Sequence, residues 1–214
     1  MSNKIKAIIF DMDGVLIEAK DWHYEALNRA LGLFGFNISR HDHLVTYDGL
    51  PTKKKLEMLS EDQGLPKDLH SFINDLKQSY TMELISVNCK PVFHHEYALS
   101  RLHSQGYRLG CASNSIKQTI DVMLSRSNLL QYMEVILSAD DVHDPKPSPE
   151  MYLKSIDLLK LQPDQCLIVE DNEKGIQAAR ASGGHVLEVE SIEEVNISNI
   201  TETINMINKS EKVK

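Results

Sequence analysis

Five short apolar runs, at 5–10, 108–112, 135–138, 166–169 and 185–189, recur along the chain with longer segments of helical period between them. That alternation is the mark of strand–helix–strand units and a parallel sheet. The runs at 5–10 and 166–169 are nearly continuous in apolar residues, as strands covered by helices on both faces must be. Between the runs, 94–105, 116–125, 149–159 and 172–182 carry apolar residues near a period of 3.6. Pro149 suits a first helical turn, and Gly106 and Gly183 follow helices where a left-handed stop is wanted.

One stretch breaks the rhythm. From 18 to 86 the pattern is helical throughout, over 22–34, 52–60 and 69–84, with Gly49, Pro51, Gly64 and Pro66 as punctuation. In the first of these, Leu27, Ala30, Leu31 and Phe34 share a face. The chain therefore reads as an α/β domain, 1–17 and 87–214, interrupted by a helical domain at 18–86. A module inserted just after the first strand is expected over the carboxyl ends of the sheet, where open α/β folds bind ligands. The tail at 209–214 is polar and reads as frayed.

Composition sets the outer limits. With 42% hydrophobic residues in 214 and mixed charge, the chain has ample material for a packed core, so disorder is excluded. The longest apolar stretches, such as 7–10 and 15–17, fall far short of the ~18 residues a membrane span needs. Asp11 interrupts the first run before the ~7–15 apolar residues of a signal peptide accumulate, and a cytoplasmic location is expected. Cys89, Cys111 and Cys166 are far apart and form no CxxC pair, so buried reduced thiols are expected rather than disulfides or zinc. A net charge of −8, with no basic tract longer than Lys53, Lys54 and Lys55, excludes a nucleic-acid surface. Those lysines read as a solvated helix start. His41, His43, His94 and His95 lack metal-ligand spacing and read as exposed. Met12, Met58, Met82, Met123, Met133, Met151 and Met206 read as core fillers.

Chemistry gathers at the ends of the apolar runs. Asp11-Met12-Asp13-Gly14-Val15 follows the first, and residues two apart on an extended chain face the same side, so both carboxylates can converge at the strand's carboxyl end. At ~4 Å and an effective dielectric of ~20 two such anions repel by roughly 4 kcal/mol, which calls for a cation, a shared proton or different orientations. Ser113-Asn114-Ser115 follows the second run where a helix begins, a place that suits either phosphate oxygens or a cap formed by Ser115. Lys146 stands between Pro145 and Pro147, with Pro149 beyond, in a loop stiff enough to fix an ammonium. Glu170 and Asp171 end the fourth run, where they can cap the next helix or offer oxygens to a hard cation such as Mg²⁺.

Acid, hydroxyl, lysine and acid at four strand ends, in that order, resemble the haloacid dehalogenase superfamily, and within it the β-phosphoglucomutase-like group with a small helical cap. The likeness covers the chain to about Val189. It implies an α/β fold with a Rossmann-like three-layer core, a parallel sheet and an inserted α-helical cap. It also implies a Mg²⁺-dependent phosphatase with Asp11 as nucleophile, forming an aspartyl-phosphate, and Asp13 as general acid and base. Ser113 and Asn114 would hold phosphoryl oxygens, and Lys146 would neutralise charge on the nucleophile and the transferring group. Mg²⁺ would be held by Asp11, the backbone carbonyl of Asp13 and Asp171, with Glu170 as a further ligand.

In the helical cap, Trp22-His23-Tyr24 and Tyr47-Asp48-Gly49-Leu50 match the hinge and the substrate loop of the resemblance, making His23 and Asp48 candidate substrate contacts. An amphipathic helix anchored by Trp22 explains the first segment equally well. Mutases of the group carry a lysine before this glycine and an arginine three residues after it, where this chain has Asp48 and Thr52. A mutase must grip a second phosphate, so the departure favours a phosphatase acting on a small phosphorylated metabolite of the sugar- or polyol-phosphate kind. Chains with this style of cap often accompany surface-polysaccharide enzymes, which adds a precursor of that class to the expected substrates. A sugar phosphomutase is the alternative enzyme, and a catalytically silent phosphate-binding regulatory protein the alternative of another class. Asp13 argues against halide chemistry, which needs neither a second carboxylate nor a metal.

Overall fold

The computed structural model describes residues 5–210. In chain order, β1 (Ala7–Phe10) leads to four helices, α1 (Lys20–Gly32), α2 (Arg40–Asp42), α3 (Thr52–Gln63) and α4 (His70–Asn88). Then come α5 (Phe93–Ser104), β2 (Arg108–Ala112), α6 (Lys117–Arg126) and β3 (Val135–Leu137). The rest is α7 (Glu150–Leu158), β4 (Cys166–Glu170), α8 (Glu173–Ala181), β5 (His185–Glu188) and α9 (Ile197–Ser210). Two compact units result, one of Met1–Glu18 with Lys90–Lys214 and one of Ala19–Cys89.

The first unit is a parallel sheet in the order β3-β2-β1-β4-β5. On one face Ala7, Ile9, Cys166 and Ile168 pack against Met151, Tyr152 and Ile156 of α7 and Ala178 and Ala179 of α8. Period-two alternation sends Ile8, Phe10, Leu167 and Val169 to the other face, where all four are also fully buried. The layer covering that face includes α5, which packs on β2 and α9. This is the Rossmann-like three-layer α/β arrangement, and its central strands are apolar throughout because neither face meets water. The chain places β2 and β3 on one side of β1 before crossing to β4 and β5, so the β1–β4 boundary is a topological switch point. Gly106 and Gly183 turn at φ +87° and +81°, in the left-handed region. Pro149 caps α7 rather than entering its first turn.

The second unit is helical. Leu27, Ala30 and Leu31 of α1 form its core with Ile38, Tyr47, Leu56, Leu59, Leu65 and Ile73, while Phe34 lies past the end of α1 and packs against this core half-buried. A short π-helical turn, His43–Tyr47, follows α2. Several readings need correction here or in the first unit. Lys55 is not solvated with its neighbours but buried, because it falls on the inner face of α3 beside Leu56 and Leu59. His43 is buried against the Tyr24 ring, 4.8 Å between centroids. His95 is buried too, its Nε2 2.8 Å from the Ile192 carbonyl. Among the methionines Met12 is wholly buried, whereas Met206 is 64% exposed and fills no core. The three cysteines are free and buried; burial raises the Cys111 thiol and pushes Cys166 up to about 11. Lys209 and Ser210 continue α9, and 211–214 lie outside the described residues. No helix among the described residues is long and apolar enough to cross a membrane.

Candidate active site

Strand register assembles the site. Phe10 pairs with Cys111 on one side and Val169 on the other, so the next residues of the three strands, Asp11, Ala112 and Glu170, come level at the carboxyl edge. Beyond Asp11 the Met12 carbonyl accepts from the backbone N–H of Val15, Leu16 and Ile17 at 3.3, 3.0 and 2.9 Å. This tight turn runs through Gly14 at φ +92°, a conformation that costs glycine nothing. It leaves Asp13 facing the loop after β2, where Asp13 Oδ2 accepts from Ser115 Oγ at 3.0 Å and Ser113 Oγ at 3.3 Å. Ser115 is therefore bound to Asp13 and does not cap α6. That helix starts after Ile116, and the Lys117 N–H is met by Asp140 Oδ2 at 2.9 Å.

Lys146 is the centre of the buried part. Its ammonium has three protons and places them on Asp11 Oδ1 at 2.6 Å, Glu170 Oε1 at 2.7 Å and the Ala112 carbonyl at 2.8 Å. Its loop is clamped by Asn114, whose Oδ1 accepts from the Lys146 N–H at 3.1 Å while Nδ2 donates to the Lys146 carbonyl at 3.3 Å. Glu170 is equally committed. Oε1 also accepts from Tyr152 Oη at 2.5 Å, and Oε2 accepts from the N–H of Asp171 and Asn172 at 3.1 and 3.4 Å. The space for this carboxylate exists because residue 175 is glycine: a Cβ there would stand 1.9 Å from Glu170 Oε1. Asn172, not an acid, caps α8 by accepting from the Lys174 N–H at 3.0 Å.

Charges explain the arrangement. Burial alone would lower the Lys146 pKa, but Asp11 and Glu170 outweigh it and hold the ammonium above the ordinary lysine range. Burial drives Asp11 well upward, Lys146 opposes, and Glu170, Asp171 and Asp13 add to the rise. These directions compete, since a protonated Asp11 would forfeit its ion pair. The 2.6 Å contact favours the ionised pair, and the upward drive on Asp11 expresses its burial first and the repulsion of the neighbouring acids after it.

Relief of that repulsion tests the fit to a divalent cation. Asp11, Glu170 and Asp171 each offer an oxygen within 4.8 Å of the others. Clustered hard, anionic donors of this kind suit Mg²⁺. Glu170 already spends both oxygens on Lys146, Tyr152 and two amides, so the donors better placed for an ion are Asp11 and Asp171.

The first unit thus brings together Asp11, Asp13, Ser113, Asn114, Lys146, Glu170 and Asp171. His23 and Asp48 belong to the helical unit. There His23 Nδ1 lies 3.2 Å from Nζ of Lys77, which is 8% exposed, and half-buried Asp48 follows the π-helical turn. Sequence reasoning missed Tyr152, Gly175 and Lys77, and it named Ser115 without its bond to Asp13. A tyrosine on the apolar face of α7 was the available signal, since a buried phenol needs a partner for its hydroxyl.

Comparison with known proteins agrees with this geometry. A family model described as haloacid dehalogenase-like hydrolase matches residues 8–189. A phosphorylated carbohydrates phosphatase of Thermotoga maritima is 28% identical over 184 residues, covering 84% of this chain and 82% of that protein. A fructose-1-phosphate phosphatase of Escherichia coli is 27% identical over 190 residues, covering 88% and 98%. The solved β-phosphoglucomutase of Clostridium difficile shares the fold with a TM-score of 0.83 at 24% identity, over 94% of this chain and 98% of that one.

Proposed function

Since the chain belongs to the haloacid dehalogenase-like hydrolase family, we propose that it is a Mg²⁺-dependent phosphatase that passes the phosphoryl group of a small phosphorylated metabolite to Asp11 and then to water. The observation that carries this reading is the buried Asp11–Lys146 pair at 2.6 Å beside further acids at the switch point of the sheet. A carboxylate held by a fixed cation is an oriented nucleophile. Attack by an Asp11 oxygen forms the acyl phosphate as the ester oxygen leaves, and Asp13 gives that oxygen its proton. Asp13, held by Ser113 and Ser115, then takes a proton from the water that attacks phosphorus and frees Asp11. Lys146 offsets charge on Asp11 and the transferring group. Ser113 has one hydroxyl proton, which would turn from Asp13 to a phosphoryl oxygen when substrate binds, leaving Asp13 to Ser115. Asn114 fixes the Lys146 loop with its side chain and offers the phosphoryl group its backbone N–H. Asp11, Asp171 and the Asp13 carbonyl would hold Mg²⁺, which supplies charge neutralisation between nucleophile and phosphate.

The substrate class is taken to be a sugar or polyol phosphate, or a related polysaccharide precursor. The names of the Thermotoga and Escherichia relatives support this. His23 and Asp48 are proposed as leaving-group contacts on the strength of the motif resemblance. Replacing Asp48 by Ala and finding the substrate preference unchanged removes that residue from the proposal. A cytoplasmic location accompanies it, in keeping with three free, buried thiols. The sugar phosphomutase reading remains second. Likeness to β-phosphoglucomutase favours it at the level of fold, while Asp48 and Thr52 stand against it.

Phosphate release from a panel of phosphorylated metabolites, with and without Mg²⁺, tests the reading. Activity should require the metal, and Asp11→Asn should lose at least about 10³-fold. Full activity in Asp11→Asn would show the mechanism to be wrong. Asp13→Asn should also be crippled, most severely on substrates with poor leaving groups.

A further inference from the structure

Tyr152 lies on α7, not in any strand-end motif, yet it is fully buried and donates its hydroxyl to Glu170 Oε1 at 2.5 Å. The same oxygen accepts from Lys146 at 2.7 Å. Its ring lies under the ammonium, with Lys146 Nζ 4.7 Å from the centroid, a contact that is most favourable where water is excluded. Lys146 is thus balanced between two carboxylates, Asp11 and Glu170, and Tyr152 occupies one of the two. We propose that Tyr152 is a positioning residue for phosphoryl transfer: by sharing Glu170 Oε1 it limits that carboxylate's pull and keeps the Lys146 ammonium on Asp11.

The physical reason is competition for one cation. Without the phenol, Glu170 Oε1 loses a strong hydrogen bond inside a dry core, and its remaining partner is the ammonium. The ammonium then settles nearer Glu170 and further from the nucleophile. Burial first, and Glu170 next, keep the phenol above its ordinary pKa, so it stays a donor. This inference rests on the phosphatase reading, and the experiment separates the two.

Steady-state kinetics with Mg²⁺ are measured for wild type, Asp11→Asn, Tyr152→Phe, Glu170→Gln and the double variant Tyr152→Phe/Glu170→Gln. Tyr152→Phe keeps the ring and is expected to fold. Its kcat should fall about tenfold or more with KM changed less than twofold, the pattern of an interaction used in the transition state. In the Glu170→Gln background the same change should alter kcat less than twofold, because Tyr152 acts through Glu170. Mg²⁺ affinity, read by calorimetry on the protein alone, should match wild type in Tyr152→Phe. Unchanged kcat in Tyr152→Phe, equal losses in both backgrounds, or loss of Mg²⁺ affinity would each overturn the positioning role. Should Tyr152→Phe fail to fold, Tyr152→Met lacks the donor while filling the space flexibly, and the same outcomes apply. An active Asp11→Asn would overturn the functional reading instead.

Discussion

At the scale of single residues, the site depends on how closely oxygen atoms approach one cation, and Gly175 shows how little room is left. A methyl group there would meet Glu170 Oε1 at 1.9 Å and Oε2 at 2.3 Å, and Glu170 cannot retreat without releasing Lys146 and Tyr152. Gly175→Ala should therefore cost about 1–3 kcal/mol of stability, as overpacked cores do, although alanine is the better helix former. It should also lower kcat, because Lys146 loses its second anchor. A urea titration alongside kinetics checks both, and an Ala variant with wild-type stability would remove the close-contact explanation. Much of this site is legible in sequence because strand ends impose it: an aspartate pair two apart, a hydroxyl turn, a lysine among prolines and an acidic pair all abut apolar runs. Tyr152 was not legible as a functional group. Its place on the inner face of α7 looks like ordinary core, and its partner lies 18 residues away at the end of β4.

At the scale of elements, periodicity predicts well where segments are long and poorly where they are short. His95 falls in register with Ala98, Leu99 and Leu102 on the inner face of α5, so its burial could be read from the period once the residue type was set aside. His43 could not be read that way, since it follows a three-residue helix and opens a π-helical turn. Burial chiefly, with Lys55 next, lowers its pKa to about 4 from 6.5. The unfolded chain then takes up a proton near pH 6.5 and the folded one only near 4. Between those values the unfolded state binds more protons, so stability present above pH 6.5 is lost on acidification. The loss from this residue approaches roughly 3 kcal/mol at its limit. His95, also lowered by burial, acts in the same direction. Urea midpoints between pH 7 and 4 should fall for wild type and flatten in His43→Gln; identical pH dependence in the two proteins would show that His43 is not the group responsible.

At the scale of the whole molecule, a chain of net charge −8 places three carboxylates within 4.8 Å at the end of its central strands. Lys146 offsets part of that charge, and a bound cation would offset more. The acids come from β1 and from the end of β4, strands that lie side by side but are separated by most of the chain. A cation bridging them therefore favours only the folded state, and mass action sets the size of the effect. At a concentration one hundred times the dissociation constant the gain is about 2.7 kcal/mol. For a chain of 214 residues, at roughly 2–4 °C per kcal/mol, the thermal midpoint should rise by about 5–10 °C. The measurement is a calorimetric melt of wild type and Asp171→Asn in Mg²⁺ and in NaCl of equal ionic strength. Wild type should respond to Mg²⁺ and hardly to NaCl, because general screening cannot reach a buried cluster. Asp171→Asn should melt higher than wild type in the absence of Mg²⁺, having lost one repelling charge, and should gain little when the metal is added. Equal shifts in the two salts, or a full Mg²⁺ response in Asp171→Asn, would place the cation away from the carboxylates at the ends of β1 and β4.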